Sequence, residues 1–196
     1  MIDTVVKVGG GLLRVPGAFD RLTAALGALE PVPSIVVVPG GGPFADAVRV
    51  AGELTRLTDH AAHWMAILGM EQYARLLAAR VRGSHLVERA PEARDALAAG
   101  RIPVLAPFRW LCEVDPLPHS WDVTSDSIAA WLAGELGAGR LVLVKPAAMP
   151  LADAVDRHFA RALPAGVGVT VVGAPDVHRL GDVLRERRPH QRASAR

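Results

Sequence analysis

Lysine is almost missing from this chain. Lys and Arg together number 22, yet only two of these are lysine, Lys7 and Lys145. A solvated lysine drifts readily to arginine in so arginine-rich a background. The two that remain therefore point to places where a compact ammonium is needed and a planar guanidinium fork does not serve. Cysteine is as scarce: Cys112 stands alone, which excludes an internal disulfide and any multi-cysteine metal centre and fits a reducing, cytoplasmic setting. No apolar stretch approaches the roughly 20 residues that span a bilayer, and the N-terminus runs straight into a strand pattern rather than a leader. Aromatics make up 5% of the residues, and no basic stripe interleaved with them marks a nucleic-acid surface. Neither GxGxxG nor GxxxxGK[ST] occurs, and no Ser-His-Asp arrangement is evident.

What the chain does have is alternation. TVVKV, SIVVVP, HLVE, IPVLA, RLVLVK and GVTVVG read as short strands, and helical patterns separate them. Near-continuous Val/Ile/Leu strands between helices predict a mainly parallel sheet covered on both faces, a three-layer αβα sandwich. With 196 residues, one domain over 1–188 is expected, followed by a basic, flexible tail at 189–196. Helices are expected over 16–29, from Pro43 to Leu57, over a long stretch beginning at Thr58 or Asp59, from Pro91 to Gly100, from Thr124 or Ser125 onward, and over 151–163. Thr58 and Thr124 are natural caps. The stretch after IPVLA reads as a loop rich in Pro and Asp.

In open α/β sheets ligands bind at the carboxyl ends of the strands. Three features fall there: Lys7 with Gly9, Gly10 and Gly11; Gly40, Gly41 and Gly42 before Pro43; and Lys145. Glycine lets backbone N–H groups approach an anion, and a helix start favours it. Two such turns and two ammoniums make two anion sites, the arrangement phosphoryl transfer requires. Asp126, in the first turn of a helix, adds a carboxylate that can orient the lysines or hold Mg²⁺ through water.

Taken together, VVKVGGGLL, VVVPGGGPFADAVR and VTSDSIAAWLAGELGAGRLVLVK resemble the amino-acid-kinase superfamily, which includes acetylglutamate, aspartate, uridylate and isopentenyl phosphate kinases. The match in order and separation covers residues 3 to 147. The resemblance implies the carbamate-kinase-like fold and ATP with Mg²⁺ as cofactors. It implies Lys7, Lys145 and Asp126 as catalytic groups, Gly9, Gly10 and Gly11 on the donor phosphates, and Gly40, Gly41 and Gly42 on the acceptor. LTDHAAHWMAILGMEQYARLLA and SWDVTSDSIAAWLA are similar to the branch that phosphorylates an aminomethylfuran-methyl phosphate in methanofuran or methylofuran biosynthesis. That branch implies a phosphate-bearing small molecule as acceptor, its monoester becoming a diphosphate. Isopentenyl phosphate or a nucleoside monophosphate is the other acceptor to weigh, and an oxyanion-binding or storage protein on the same fold is the non-catalytic alternative. A homo-oligomer, dimeric or larger, is implied as well, with no nucleic-acid or membrane partner. Two segments depart from the family: KPAAMPLADAV stands where an Asp-bearing nucleotide loop is usual, and RRPHQRASAR stands where a glycine-threonine ending is usual.

Trp121 is the tryptophan best placed to stack on a flat acceptor ring, and Asp59, Glu71 or Asp122 could meet an ammonium on it. His60 and His63 stand at i and i+3 on the long helix. With no Glu between them and no partner ligand evident from sequence, they read as a helix face or a substrate contact, and no metal ligand set is assigned.

Overall fold

The computed structural model describes residues 1–186; the basic segment 189–196 lies outside them. Six strands, β1 (Thr4–Val8), β2 (Ile35–Pro39), β3 (Ser84–Val87), β4 (Ile102–Leu105), β5 (Arg140–Lys145) and β6 (Gly168–Gly173), form one sheet. Their order is β3-β4-β2-β1-β5-β6, and every pairing is parallel. Around it lie α1 (Ala18–Gly27), α2 (Gly42–Thr55), α3 (Asp59–Arg80), α4 (Ala90–Ala98), α5 (Phe108–Val114), α6 (Ser125–Glu135), α7 (Leu151–Ala154), α8 (Phe159–Ala162) and α9 (Leu180–Arg185). This is the three-layer αβα architecture with a parallel sheet that the apolar strands predict.

Strand pleating sorts side chains to two cores. Val5, Val36, Val38, Leu141 and Leu143 face one layer, where α4, α5, α6 and α8 contribute Ala93, Leu111, Ile128 and Phe159. Val6, Val8, Val37, Val142 and Val144 face the other, with Leu22 and Leu26 of α1, Tyr73 and Leu77 of α3, and Leu180 of α9. Burying each such Val or Leu is worth about 1.5–3 kcal/mol. The central strand β1 has no exposed residue at all.

The same parity fixes the lysines. Lys7 pairs in register with Leu143. Lys145 lies two residues beyond Leu143 on β5, so both lysines point to the face covered by α6. Adjacent parallel strands thus deliver two ammoniums from one end of the sheet to one side of it.

Three local differences from the sequence expectation have physical causes. The helix expected over 16–29 is shorter, because Gly17 takes φ +69° and only then does α1 begin; before it, Gly10–Arg14 forms a 3₁₀ turn. The stretch after β4 is not all loop. Phe108–Val114 is helical and buries Trp110 and Leu111, whose apolar spacing is too short to register as a period. Residues 151–163 hold two one-turn helices, not one helix, because Val155 is extended and the next residue, Asp156, is spent on capping α6. The pattern-long helix α3 forms as expected, with the Thr58 hydroxyl accepting from Ala61 N at its start.

Candidate active site

Lys7 Nζ donates to Asp126 Oδ1 at 2.8 Å, and Lys145 Nζ donates to both Asp126 oxygens at 2.8 Å. All three side chains are buried, at 3%, 8% and 6% exposure for Lys7, Lys145 and Asp126. Two positive groups and one negative leave a single net positive charge at the carboxyl ends of β1 and β5. Burial opposes ionisation of Asp126, but the two ammoniums outweigh it and hold the carboxyl below its ordinary range. Lys145 is pushed down from its ordinary value by burial first and then by Lys7, with Asp126 opposing. An arrangement of this kind, with like charges held together by one shared carboxylate, is completed electrostatically by a further anion.

Asp126 is itself held in place. Thr124 caps α6 with its hydroxyl, which accepts from Asp126 N at 3.3 Å. Behind it, Asp156 Oδ2 accepts from Thr124 N at 2.9 Å, Thr124 Oγ1 at 2.7 Å and Ser127 N at 3.0 Å, and Oδ1 accepts from Ser127 Oγ and from His158 N. A carboxylate at the positive end of a helix is favoured by the exposed N–H groups there. Sequence reasoning did not find Asp156. It lies 30 residues from Asp126 in a segment that reads as helix interior, and no motif marks it.

The glycines divide by role. A Cβ on Gly10 would lie 2.1 Å from Gly42 N, and one on Gly9 would lie 2.7 Å from Val144 O. The two glycine turns therefore pack backbone against backbone, which closes the ends of β1, β2 and β5 together. Gly9 and Gly40 are absorbed in this packing, whereas Gly10, Gly11, Gly41 and Gly42 also line a cavity of about 250 Å³. Asp59, His63 and Ile67 of α3 form another wall, and Trp121, Thr124 and Ser125 a third. The cavity thus abuts the start of the helix that carries Asp126.

Of the residues expected to bind an acceptor, Gly41, Gly42, Asp59 and Trp121 are brought together here. Asp122 is not: it points away to Arg157 and does not line the cavity. Glu71 is likewise elsewhere, paired with Arg75 at 3.1 Å. Three residues unforeseen from sequence, Arg14, Asp46 and Arg49, line it as well. Asp46 pairs with Arg14 and with Arg49, the latter at 3.0 Å, and the Arg49 guanidinium lies 4.6 Å from the Trp121 ring centroid. PFADAVR places Asp46 and Arg49 at helical i, i+3 spacing, a signal that was available but is common on any surface helix.

His60 and His63 are not isolated on their helix face. His119 packs against both, and Asp115 lies beside it. Burial, followed by the neighbouring His119, pushes His63 down to about 4, so it is neutral near pH 7.

Among the described residues, no helix is long and apolar enough to cross a membrane. A family model described as "Amino acid kinase family" matches residues 4–147, which include both lysines, Asp126 and both glycine turns. The chain is 27% identical over 180 residues to the [5-(aminomethyl)furan-3-yl]methyl phosphate kinase of Methanocaldococcus jannaschii, covering 91% of this chain and 78% of that one. Its fold is similar to that of UMP kinase from Ureaplasma parvum, with TM-score 0.69, 14% identity, and 95% and 96% of the two chains covered. Uridylate kinase from Archaeoglobus fulgidus is similar with TM-score 0.55 and 18% identity over 74% of this chain and 63% of that chain. By its sequence over residues 4–147, and with the fold to match, the chain belongs to the amino acid kinase family.

Proposed function

We propose that this chain transfers the γ-phosphoryl group of ATP to a phosphate monoester, with an aminomethylfuran-methyl phosphate as the acceptor and the diphosphate as product. The observation that carries this reading is the meeting of Lys7 and Lys145 on one carboxylate at the strand ends. Charge accumulates on the equatorial oxygens of a transferring phosphoryl group, and preorganised cations there lower the barrier without covalent chemistry by the protein.

Each part of the site has a role in this reading. Asp126 holds the ammoniums at a fixed separation. Gly10 and Gly11 offer main-chain N–H groups to the donor phosphates. Gly41, Gly42 and the guanidiniums of Arg14 and Arg49 receive the acceptor phosphate, since arginine forks match phosphate oxygens in pairs. Trp121 covers a flat ring, and Asp59 meets its ammonium. Magnesium, bound with the nucleotide, would neutralise phosphate charge. Both Asp126 oxygens already accept from lysine, so that carboxylate fits an ion held through water better than one held directly. The family relative named for the furan phosphate supports this acceptor. Val50 and Leu54 on α2, with Met65 and Leu68 on α3, are exposed apolar residues that support a homo-oligomer.

The test is incubation with ATP, Mg²⁺ and a panel of phosphomonoesters, including the furan phosphate, isopentenyl phosphate and UMP, read by ADP release and ³¹P NMR. The expected result is ADP formation with a new diphosphate signal from the furan phosphate. Binding of ATP with no ADP above the blank on any acceptor would instead favour an oxyanion-binding protein on this fold.

A further inference from the structure

Beside the cavity, and apart from the lysine pair, three elements bring imidazole and carboxylate groups together. His63 comes from near the start of α3, Asp115 from the end of α5, and His119 from the loop before α6. Their ligand-capable atoms all lie within 4.8 Å of one another. His119 Nε2 is 2.7 Å from Asp115 Oδ1, and its other nitrogen, Nδ1, is 2.9 Å from His60 Nδ1. The rings of His63 and His119 stack with centroids 4.1 Å apart. Asp115 is a non-glycine residue in the left-handed region, with φ +43°, a conformation that the chain tolerates in Asp more readily than in most residues.

We propose that His63, His119 and Asp115 form a binding site for a divalent transition metal ion of the Zn²⁺ or Co²⁺ type. Two imidazoles and one carboxylate suit such ions and not Mg²⁺, which favours oxygen ligands. The site has the supporting contact that metal-bound histidine usually has: with Nε2 turned to the ion, His119 keeps Nδ1 for a hydrogen bond to His60. The ion is bound by the His119 tautomer that carries its proton on Nδ1 and donates it to His60 Nδ1. That leaves Nε2 and the Asp115 carboxylate free as ligands, with no proton lost from a neutral His119. His63 supplies the third ligand atom from within 4.8 Å. Half of the Asp115 side chain is exposed, which gives the ion an entry path.

Three protein ligands leave a coordination position open. His63 lines the cavity, and Trp121 on the same loop as His119 lines it too. A bound ion therefore fastens the Trp121 loop to α3 and leaves its free position at the cavity edge. This is separate from the kinase reading, which needs neither His63 nor His119.

The test uses the full chain without an affinity tag, stripped by chelator and titrated with Co²⁺ alone, then with Zn²⁺ as competitor. The expected result is saturation at one equivalent, with d–d absorption of low-coordinate Co²⁺ that Zn²⁺ abolishes and excess Mg²⁺ does not. His119→Ala and His63→Gln should each weaken binding roughly tenfold or more. His85→Ala, at an exposed position on β3, should not. Absence of saturable binding would overturn the proposal and leave a hydrogen-bonded imidazole cluster. So would affinity unchanged in both variants. Circular dichroism reports folding, and if His119→Ala fails to fold, His63→Gln alone decides.

Discussion

Lys7 and Lys145 reach the same oxygen of Asp126, each at 2.8 Å, from strands that neighbour one another in the sheet. Two like charges this close and this buried repel strongly unless something negative lies between them. Asp126 does so now, and in the proposed reaction the phosphates of donor and acceptor would add to it.

The first expectation concerns stability. Asp126→Asn leaves two buried ammoniums facing each other without a counter-charge. Removing one member of a buried charged set costs about 3–5 kcal/mol, so urea unfolding should show a loss of that size. Lys145→Met in the Asp126→Asn background should restore part of it, because it removes the repulsion. A loss below about 1 kcal/mol for the single variant would mean that the three groups are not held as described.

The second concerns pH, and here activity and stability diverge. Burial and Lys7 lower the Lys145 pKa, so its ammonium is lost below the ordinary lysine range near 10.4. If charged Lys145 is needed for transfer, the alkaline limb of kcat against pH lies below that range. Between the folded and unfolded pKa values the unfolded chain binds more protons, so the contribution of this group to stability rises with pH there. For Asp126, whose folded pKa is depressed, the stabilisation is present above the unfolded value near 3.9 and is lost as pH falls through the folded one. A pH–rate profile with denaturant titrations at each pH separates the two. An alkaline limb that coincides with unfolding would contradict the assignment to Lys145.

The third contrasts two glycines. Gly10→Ala drives a Cβ to 2.1 Å from Gly42 N, backbone against backbone, whereas Gly52 in α2 has nothing within 4 Å of the position. Overpacking at the first site should destabilise by about 1–3 kcal/mol and separate the glycine turns. Gly52→Ala in a helix interior should stabilise by about 0.5–1 kcal/mol. Thermal melts of both variants check this. Equal behaviour would mean that the turns are not in contact.

How far the site was legible in the sequence depends on the distance over which its residues act. Lysine scarcity, the strand-end positions and the helix-start carboxylate all pointed to Lys7, Lys145 and Asp126, because each signal is local. That the two lysines share a face follows only from the register of Lys7 with Leu143, which pattern alone does not supply. Asp156 escaped because capping at a distance leaves no periodicity. The helix Phe108–Val114 escaped because two turns are too short to show one, and with it went the placement of Asp115. His60 and His63 were visible as a pair, but their neighbour His119 arrives from 56 residues beyond His63, across β3, α4, β4 and α5. The apolar strands, in contrast, state the parallel sheet outright, since only strands buried on both faces read as unbroken Val and Leu.

The central claim is that the ammonium of Lys7 stabilises a transferring phosphoryl group. Its most direct test is kcat for ADP formation with ATP, Mg²⁺ and the furan phosphate, measured for the wild-type chain, Lys7→Ala and Lys7→Arg, with the fold of each checked by circular dichroism. Lys7→Ala should lose a factor on the order of 100 or more while remaining folded, and Lys7→Arg should recover little, because the planar fork does not fit a point-charge site. A folded Lys7→Ala variant with undiminished kcat would contradict the account.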